Sequence, residues 1–288
     1  MGVCSSLPSS KAEHAATGFF VPPSVIMPTS SDTIPPFPKD GVTLSLLDEI
    51  IATFSESNLA GLTTTKVNEM FVKPYCSNTK LSLCDQLKSA GNPGVKRANV
   101  FISHAWSCIF LEVIDALKNH FFNVANKTDI VIWFDLFSNN QLLAPNLDFN
   151  WWATTFKEAI HEFGYTLMIL APWENPTPLT RAWCLYEIYC TVETNSKFEV
   201  AMSDKEETDF SNVLCSDFDA VNKLLAIVNV SSSQCYKIED RYSLTHSLPL
   251  TPLLTHSLPL TPLLTHSLIG NVSSTLLKSV WDSRRLIH

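Results

Sequence analysis

The order of apolar segments predicts an α/β domain with a parallel sheet and helices on both faces, spanning residues 98–236. Two observations carry the prediction. Short apolar runs of strand length, Asn99–Ser103, Asp129–Asp135, Tyr165–Leu170 and Phe198–Met202, alternate with longer stretches whose apolar residues recur at helical spacing. Strands joined through intervening helices come back to the same end of the sheet, which makes them parallel, with right-handed crossovers. A hydrophobic fraction of 45%, spread through the middle of the chain, supplies the core.

Taken in order, residues 1–41 are rich in Ser, Pro and Thr and read as a disordered arm. Residues 42–97 read as a helical leader that packs on the domain. Leu44, Leu47, Ile51 and Phe54 keep helical spacing, as do Val67, Met70 and Phe71 in a helix expected to end before Pro74; Leu81, Leu83 and Leu87 mark a third. The first domain strand is Asn99–Ser103. A helix from Ile109 to Val124 follows, with Val113, Ile114, Leu117 and Phe121 on one face. After the second strand comes a long loop, then a helix that Asn150 caps and Gly164 stops. Tyr165–Leu170, a helix from Thr180 to Val192, and Phe198–Met202 complete the alternation. Ser203 and Glu206 form a capping box for a helical region reaching about Ile227.

Residues 237–288 differ in kind. Thr245 to Leu254 is repeated without change at Thr255 to Leu264, and a third copy starts at Thr265. Pro249, Pro252, Pro259 and Pro262 forbid continuous helix, so this low-complexity tail is expected to be largely unstructured.

Composition excludes several classes. The net charge is −8 and no basic run tracks a phosphate backbone, which argues against nucleic acid. The eight cysteines form no C-x-x-C pair and suit reduced thiols. His104 and Cys108 have helical ligand spacing but no third ligand, so no metal site is expected. Glycine-rich phosphate loops and the G-x-S-x-G elbow are absent. At the start of the chain, Met1-Gly2-Val3-Cys4-Ser5-Ser6 fits myristoylation at Gly2 with palmitoylation at Cys4. Two such chains would hold the protein at the inner face of the plasma membrane, in a cytoplasmic setting.

Ligands of open parallel sheets bind beyond the carboxyl ends of the strands. Ser103, His104, Trp106, Asp135 and Trp173 gather there. On the helix from Thr180, Glu187 shares a face with Trp183, Cys184 and Thr191, whereas Leu185, Ile188 and Val192 should face the core. Spacing alone leaves two readings of Glu187. It is either a solvated helical side chain, or a carboxylate between partly apolar walls that can stabilise positive charge on a sugar carbon.

Three motifs resemble those of TIR (Toll/interleukin-1 receptor) domains over Ala98 to Met202. Asn99-Val100-Phe101-Ile102-Ser103-His104-Ala105 is similar to their opening strand, and Trp133-Phe134-Asp135 to the end of their second. Arg181-Ala182-Trp183-Cys184-Leu185-Tyr186-Glu187-Ile188 resembles the W-C-L-x-E motif of plant immune-receptor TIR domains. The F-I-S-H-A-W opening and the F-E-V-A-M-S strand also resemble a subgroup often fused to tetratricopeptide repeats. No such repeats are visible here. The decapeptide tail takes their place, the pattern expected of a truncated chain or a faulty gene model. The resemblance implies a flavodoxin-like sheet and a signalling role. From NAD-cleaving members it implies a catalytic Glu187 with the motif's Trp183 and Cys184 beside it; Ser103, His104, Trp106 and Asp135, at the strand ends, are expected to line the nucleotide site, although the family often has a basic residue where this chain has His104-Ala105-Trp106. NAD would be a substrate, not a tightly held cofactor. The alternative implied is a non-catalytic module that pairs with itself or with other TIR-like domains. The stretch Leu136 to Asn150 lacks the family's R-D-x-x-x-G signature, which bears on both activity and assembly.

Overall fold

A computed structural model of the chain describes residues 36–143, 147–216, 233–235 and 243–244. Gly2, Cys4, the repeats, the Cys215 side chain and the helical region expected beyond Ser216 lie outside the described residues. The fold is an α/β domain around a mixed six-stranded sheet in the order β2-β1-β4-β3-β5-β6. The strands are β1 (Asp40–Thr43), β2 (Val95–Arg97), β3 (Val100–Ser103), β4 (Val131–Trp133), β5 (Tyr165–Ile169) and β6 (Lys197–Ala201).

The four strands read from the sequence, β3 to β6, pair in parallel. The expectation of a wholly parallel sheet is corrected by β1 and β2. β1 runs antiparallel to both β2 and β4. The end of the stretch read as a disordered arm supplies the first half of β1, and the stretch read as a helical leader supplies the rest and β2, so both contribute to the sheet. Its two strands are short and lack an apolar run, so periodicity could not reveal them. Lys96 and Arg97 are exposed on β2, and such charges discourage edge-to-edge pairing.

Side chains alternate across the strands and divide the core. Val100, Ile102, Ile132, Leu167 and Ile169 face a layer formed by α1 (Leu44–Phe54), α5 (Leu83–Ser89) and α6 (Phe110–His120). Phe101, Trp133, Met168 and Val200 face α8 (Phe149–Phe163), α9 (Ala182–Glu193) and α10 (Asp204–Ser216). Phe101 and Trp133 are register partners on β3 and β4, and their rings stack at 4.8 Å. Phe37 stacks on the other side of Trp133 at 5.1 Å, and the Trp133 indole donates to the Pro38 carbonyl at 2.7 Å. These contacts fasten the entering chain to the sheet.

Local chemistry sets most helix ends. Gly164, at φ 69°, closes α8 in the left-handed conformation expected of it. The α8 cap, however, is Asp148, which accepts from the Trp151 backbone N–H at 2.8 Å, two residues ahead of the expected Asn150. Ser203 accepts from the Glu206 N–H as a cap, but the Glu206 carboxylate turns instead to the Trp173 backbone N–H at 2.6 Å. The helix expected to stop before Pro74 continues. α3 (Thr64–Val67) passes through a π-turn, Asn68–Val72, into α4 (Lys73–Cys76). The Lys73 N–H bonds to the Asn68 carbonyl, and this widened register admits the proline ring. It also rotates Met70 outward to 54% exposure. Three more short helices, α2 (Glu56–Leu59), α7 (Asp135–Ser138) and a 3₁₀ turn at Thr177–Thr180, complete the described elements. Among the described residues no helix is long and apolar enough to cross a membrane. Cys76, Cys84, Cys108, Cys184, Cys190 and Cys235 are free thiols.

β1 crosses β4 so closely that a Cβ on Gly41 would lie 2.2 Å from the Ile132 carbonyl oxygen. Gly61, at φ 69°, has open space around it. Gly41→Ala is therefore expected to destabilise the fold by about 3 kcal/mol or more, through overpacking against backbone. Gly61→Ala should cost only about 1 kcal/mol, from its left-handed backbone. Urea denaturation of the two variants compares them directly, and equal losses would contradict this strand crossing.

Candidate functional site at the carboxyl end of β3

β3 is buried on both faces, and its last residue, Ser103, is 0% exposed. The chain then turns through His104 and Ala105 to Trp106, so three of the residues singled out from the sequence leave the sheet at one point. β4 ends beside it, bringing Asp135 into place as the first residue of α7. α9 lies against β5 and β6, and carries Cys184 and Glu187.

α9 is not the amphipathic helix that the spacing predicts. Every residue from Cys184 to Thr191 is buried, because α8 covers it on one side and the sheet on another. Glu187, 8% exposed, is thus no solvated helical side chain. Its carboxyl group and the Cys184 thiol both face the Ser103 hydroxyl. The contact falls short of a well-formed hydrogen bond. Ser103 Oγ, Glu187 Oε2 and His104 Nε2 are buried polar atoms without a hydrogen-bond partner among the described residues. Such atoms are costly to leave unpaired.

Burial dominates the electrostatics. It pushes the Glu187 carboxyl up to about 8; the Ser103 hydroxyl opposes that push and the charge of Asp135 adds to it. Asp135 keeps 22% of its side-chain surface open to solvent. Burial still raises its carboxyl above the ordinary range, opposed by the Trp106 indole N–H, which donates to Oδ2 at 2.5 Å, and by the Leu136 backbone N–H, which donates to Oδ1 at 2.8 Å. His104 is driven down to about 3 by burial, and its Nδ1 lies 3.9 Å from Asp135 Oδ1. Near neutral pH the imidazole is therefore uncharged. The Cys184 thiol is held well above its usual range by burial and then by Glu187, and it donates to the His104 carbonyl oxygen at 3.5 Å, not to the ring. No thiolate–imidazolium pair forms between the two.

The structure thus brings Ser103, His104, Trp106, Asp135, Cys184 and Glu187 together. Trp183 belongs to an aromatic group, its ring packed on Phe149, Phe156 and Tyr186. Trp173, also placed at a strand end, packs on Phe210 of α10. Glu187 lines neither of two cavities found near the strand ends among the described residues. One of about 400 Å³ is bounded by Pro172, Trp173, Lys205, Glu206 and Asp209, and one of about 270 Å³ by Phe37, Trp151 and Trp152 among others. Among the described residues no group of three His, Cys, Asp or Glu side chains could hold a metal ion.

A polar cluster at the opposite end of the sheet was not read from the sequence. His120 Nε2 lies 2.7 Å from the Tyr165 hydroxyl and 3.1 Å from Glu199, which also accepts from Tyr165 and pairs with Lys197 at 3.0 Å. The alternation of Lys197 and Glu199 on one face of β6 is the only signal of it in the sequence.

Comparison with protein-family models, with curated proteins and with solved structures finds no match to this chain.

The raised Glu187 pKa fixes the sign of a pH effect. Well below pH 4.5 the folded and unfolded chains both hold this proton. As pH rises the unfolded chain releases it first and the folded chain only near 8, so this group makes stability fall across that window. Glu187→Gln cannot ionise. Its stability relative to the unaltered chain should therefore climb between about pH 5 and about pH 8, by several kcal/mol at most. Urea denaturation at the two pH values measures the difference, and an offset that does not change with pH would show the carboxyl to be solvated.

Proposed function

We propose that this chain is a TIR-like signalling domain of flavodoxin-like fold that cleaves NAD at the nicotinamide–ribose bond with Glu187. The observation that carries the reading is the enclosure of the W-C-L-Y-E carboxyl group against Ser103 at the carboxyl end of β3. The arrangement of the parallel strands supports it. β4-β3-β5-β6 is the order 2-1-3-4 when counted from β3, which is how flavodoxin-like sheets begin. Chain direction then reverses across the sheet between β3 and β5, and ligands of such sheets lodge at that crevice.

In the proposed reaction the C–N bond between ribose and nicotinamide breaks, its electron pair leaves with the ring as neutral nicotinamide, and water supplies the hydroxyl of the ribose product and releases its other proton to solvent. Positive charge rises on the sugar carbon as the bond lengthens. Glu187 is neutral in the resting protein, but a cationic pyridinium and an oxocarbenium-like carbon favour its ionised form. The carboxylate then opposes that charge in a water-poor setting, where the interaction is strongest. Asp135 and Trp106 act as a pair, the carboxylate fixing the indole as a platform for a ring of the nucleotide. Because Glu187 is enclosed, the side chains above it must part before NAD enters. Acylation at Gly2 and Cys4 would concentrate the domain at a membrane surface.

The closure of Glu187 also favours a second reading, a module without chemistry that associates with itself or with other TIR-like domains. The purified full chain is expected to release nicotinamide from NAD, faster at about pH 8 than at about pH 6, with Glu187→Gln about 100-fold slower or worse. Equal turnover by the variant would sink the catalytic reading. No turnover together with self-association in sedimentation would favour the module, and an inert monomer would remove both.

A further inference from the structure

The segment between β1 and β2 reaches the carboxyl end of β3 through hydrogen bonds. Residues 62–65 run antiparallel to the chain leaving that strand. The Thr64 N–H donates to the Cys108 carbonyl and the Thr65 N–H to the Trp106 carbonyl, each at 3.0 Å, and the Phe110 N–H donates to the Leu62 carbonyl at 2.8 Å. The hydroxyl of Thr65, an exposed residue, donates to the same Trp106 carbonyl at 3.1 Å. Asn68, 5% exposed, then begins the π-turn. Its Nδ2 donates at 3.3 Å to Gln141 Oε1, and Gln141 Nε2 donates to the carbonyls of Asp135 at 2.6 Å and Leu136 at 3.2 Å. Thr65 thus holds the backbone of Trp106, and Asn68, through Gln141, holds the backbone of Asp135. These are the two residues whose side chains join indole to carboxylate.

The chemistry of this relay allows it one orientation. Backbone carbonyls only accept, so Gln141 must turn its NH₂ to them and its oxygen to Asn68. Asn68 must then offer its own NH₂, and its Oδ1 is left buried without a partner among the described residues. An apolar residue at 68 would avoid that cost but would leave Gln141 Oε1 unpaired instead. α7, which Asp135 opens, has four residues, too few to hold its own turn, so Gln141 supplies bonds that the helix lacks. We infer that Thr65, Asn68 and Gln141 are positioning residues for nucleotide binding, tying Trp106 and Asp135 to the one segment formed by α3 and the π-turn so that the indole stays a fixed platform. The inference rests on the reading of that pair as the platform for a ring of NAD, and it adds the segment between β1 and β2 to the binding apparatus. A platform fixed before the substrate arrives loses less entropy on binding. It serves ground state and transition state alike, so its loss falls on KM and not on kcat.

The test uses the full chain and three variants. Gln141→Met keeps the length of the side chain and removes its amide. Thr65→Val removes a hydroxyl at an exposed position and Thr65→Ser returns it, and this pair decides the matter where loss of the buried amide unfolds the chain. The first readout is the Trp106 indole N–H resonance in NMR, identified by its absence in Trp106→Phe. In Gln141→Met it should move, and its exchange with solvent should quicken about 10-fold as the bond to Asp135 loosens. The second is nicotinamide release, in which KM for NAD should rise about 10-fold while kcat stays within about 2-fold. Thr65→Val should shift both readouts in the same direction, and Thr65→Ser should restore them. An unmoved indole resonance, a moved resonance with unchanged KM, or a loss confined to kcat overturns the proposal. If the unaltered chain releases no nicotinamide, it is the role given to Glu187 that fails. NAD is then titrated against the same resonance, and equal affinity of the unaltered and Gln141→Met chains, or no binding by either, overturns this proposal as well.

Discussion

Two carboxyl groups and an imidazole meet at the end of the central strand, and the protein cannot charge all three there. Taking Glu187 out of water penalises its anion, and the nearby Asp135 penalises it further. His104 could in principle neutralise either acid, but its own burial removes its proton first. What remains near neutral pH is a largely uncharged polar knot, enclosed by α9 and the ends of β3 and β4. Its buried atoms are incompletely hydrogen-bonded. Groups in that condition store free energy that an entering ligand could recover by pairing with them.

The knot can exist because the rest of the architecture surrounds it. β3 lies between β4 and β5 and is covered by helices on both faces, so whatever follows Ser103 emerges inside the protein. The antiparallel pair β1 and β2 extends the sheet beyond β4, which places β4 in the interior too. The stack of Phe37, Trp133 and Phe101 then locks the entering chain, β4 and β3 into one unit. Aromatic pairs of this kind add about 1 kcal/mol each beyond the area they bury. The segment before the parallel strands is therefore a structural part of the sheet.

The parallel strands and their helices were legible because long apolar stretches repeat with distinct periods. Gly164 was legible as a stop because only a residue without a side chain readily adopts the conformation a helix end requires. The elements missed are those where local rules compete. β1 opens with Asp40 and Gly41, which carry no strand signal, and it forms because β4 offers an unpaired edge. Asp148 outcompetes Asn150 for the α8 cap because the helix begins two residues nearer the loop than its apolar face indicates. Pro74 fails to stop its helix because a π-turn absorbs the missing donor and the bulk of the ring.

The candidate site divides along the same line. The residue types and their order, Ser103-His104-Ala105-Trp106 after one strand and Trp183-Cys184-Leu185-Tyr186-Glu187 on one helix, belong to the sequence, and they were enough to nominate a carboxyl group and the strand end beside it. Helical spacing could not say whether Glu187 met water, since one helix face can turn to solvent or to another layer with the same period. That was decided by α8 and the sheet closing over α9 from different sides, which set the burial of Glu187, its neutral resting state and its approach to the unpaired Ser103 hydroxyl. The approach of Glu187 to Ser103 joins residues 84 positions apart (187 − 103), and no local pattern encodes the dielectric around it.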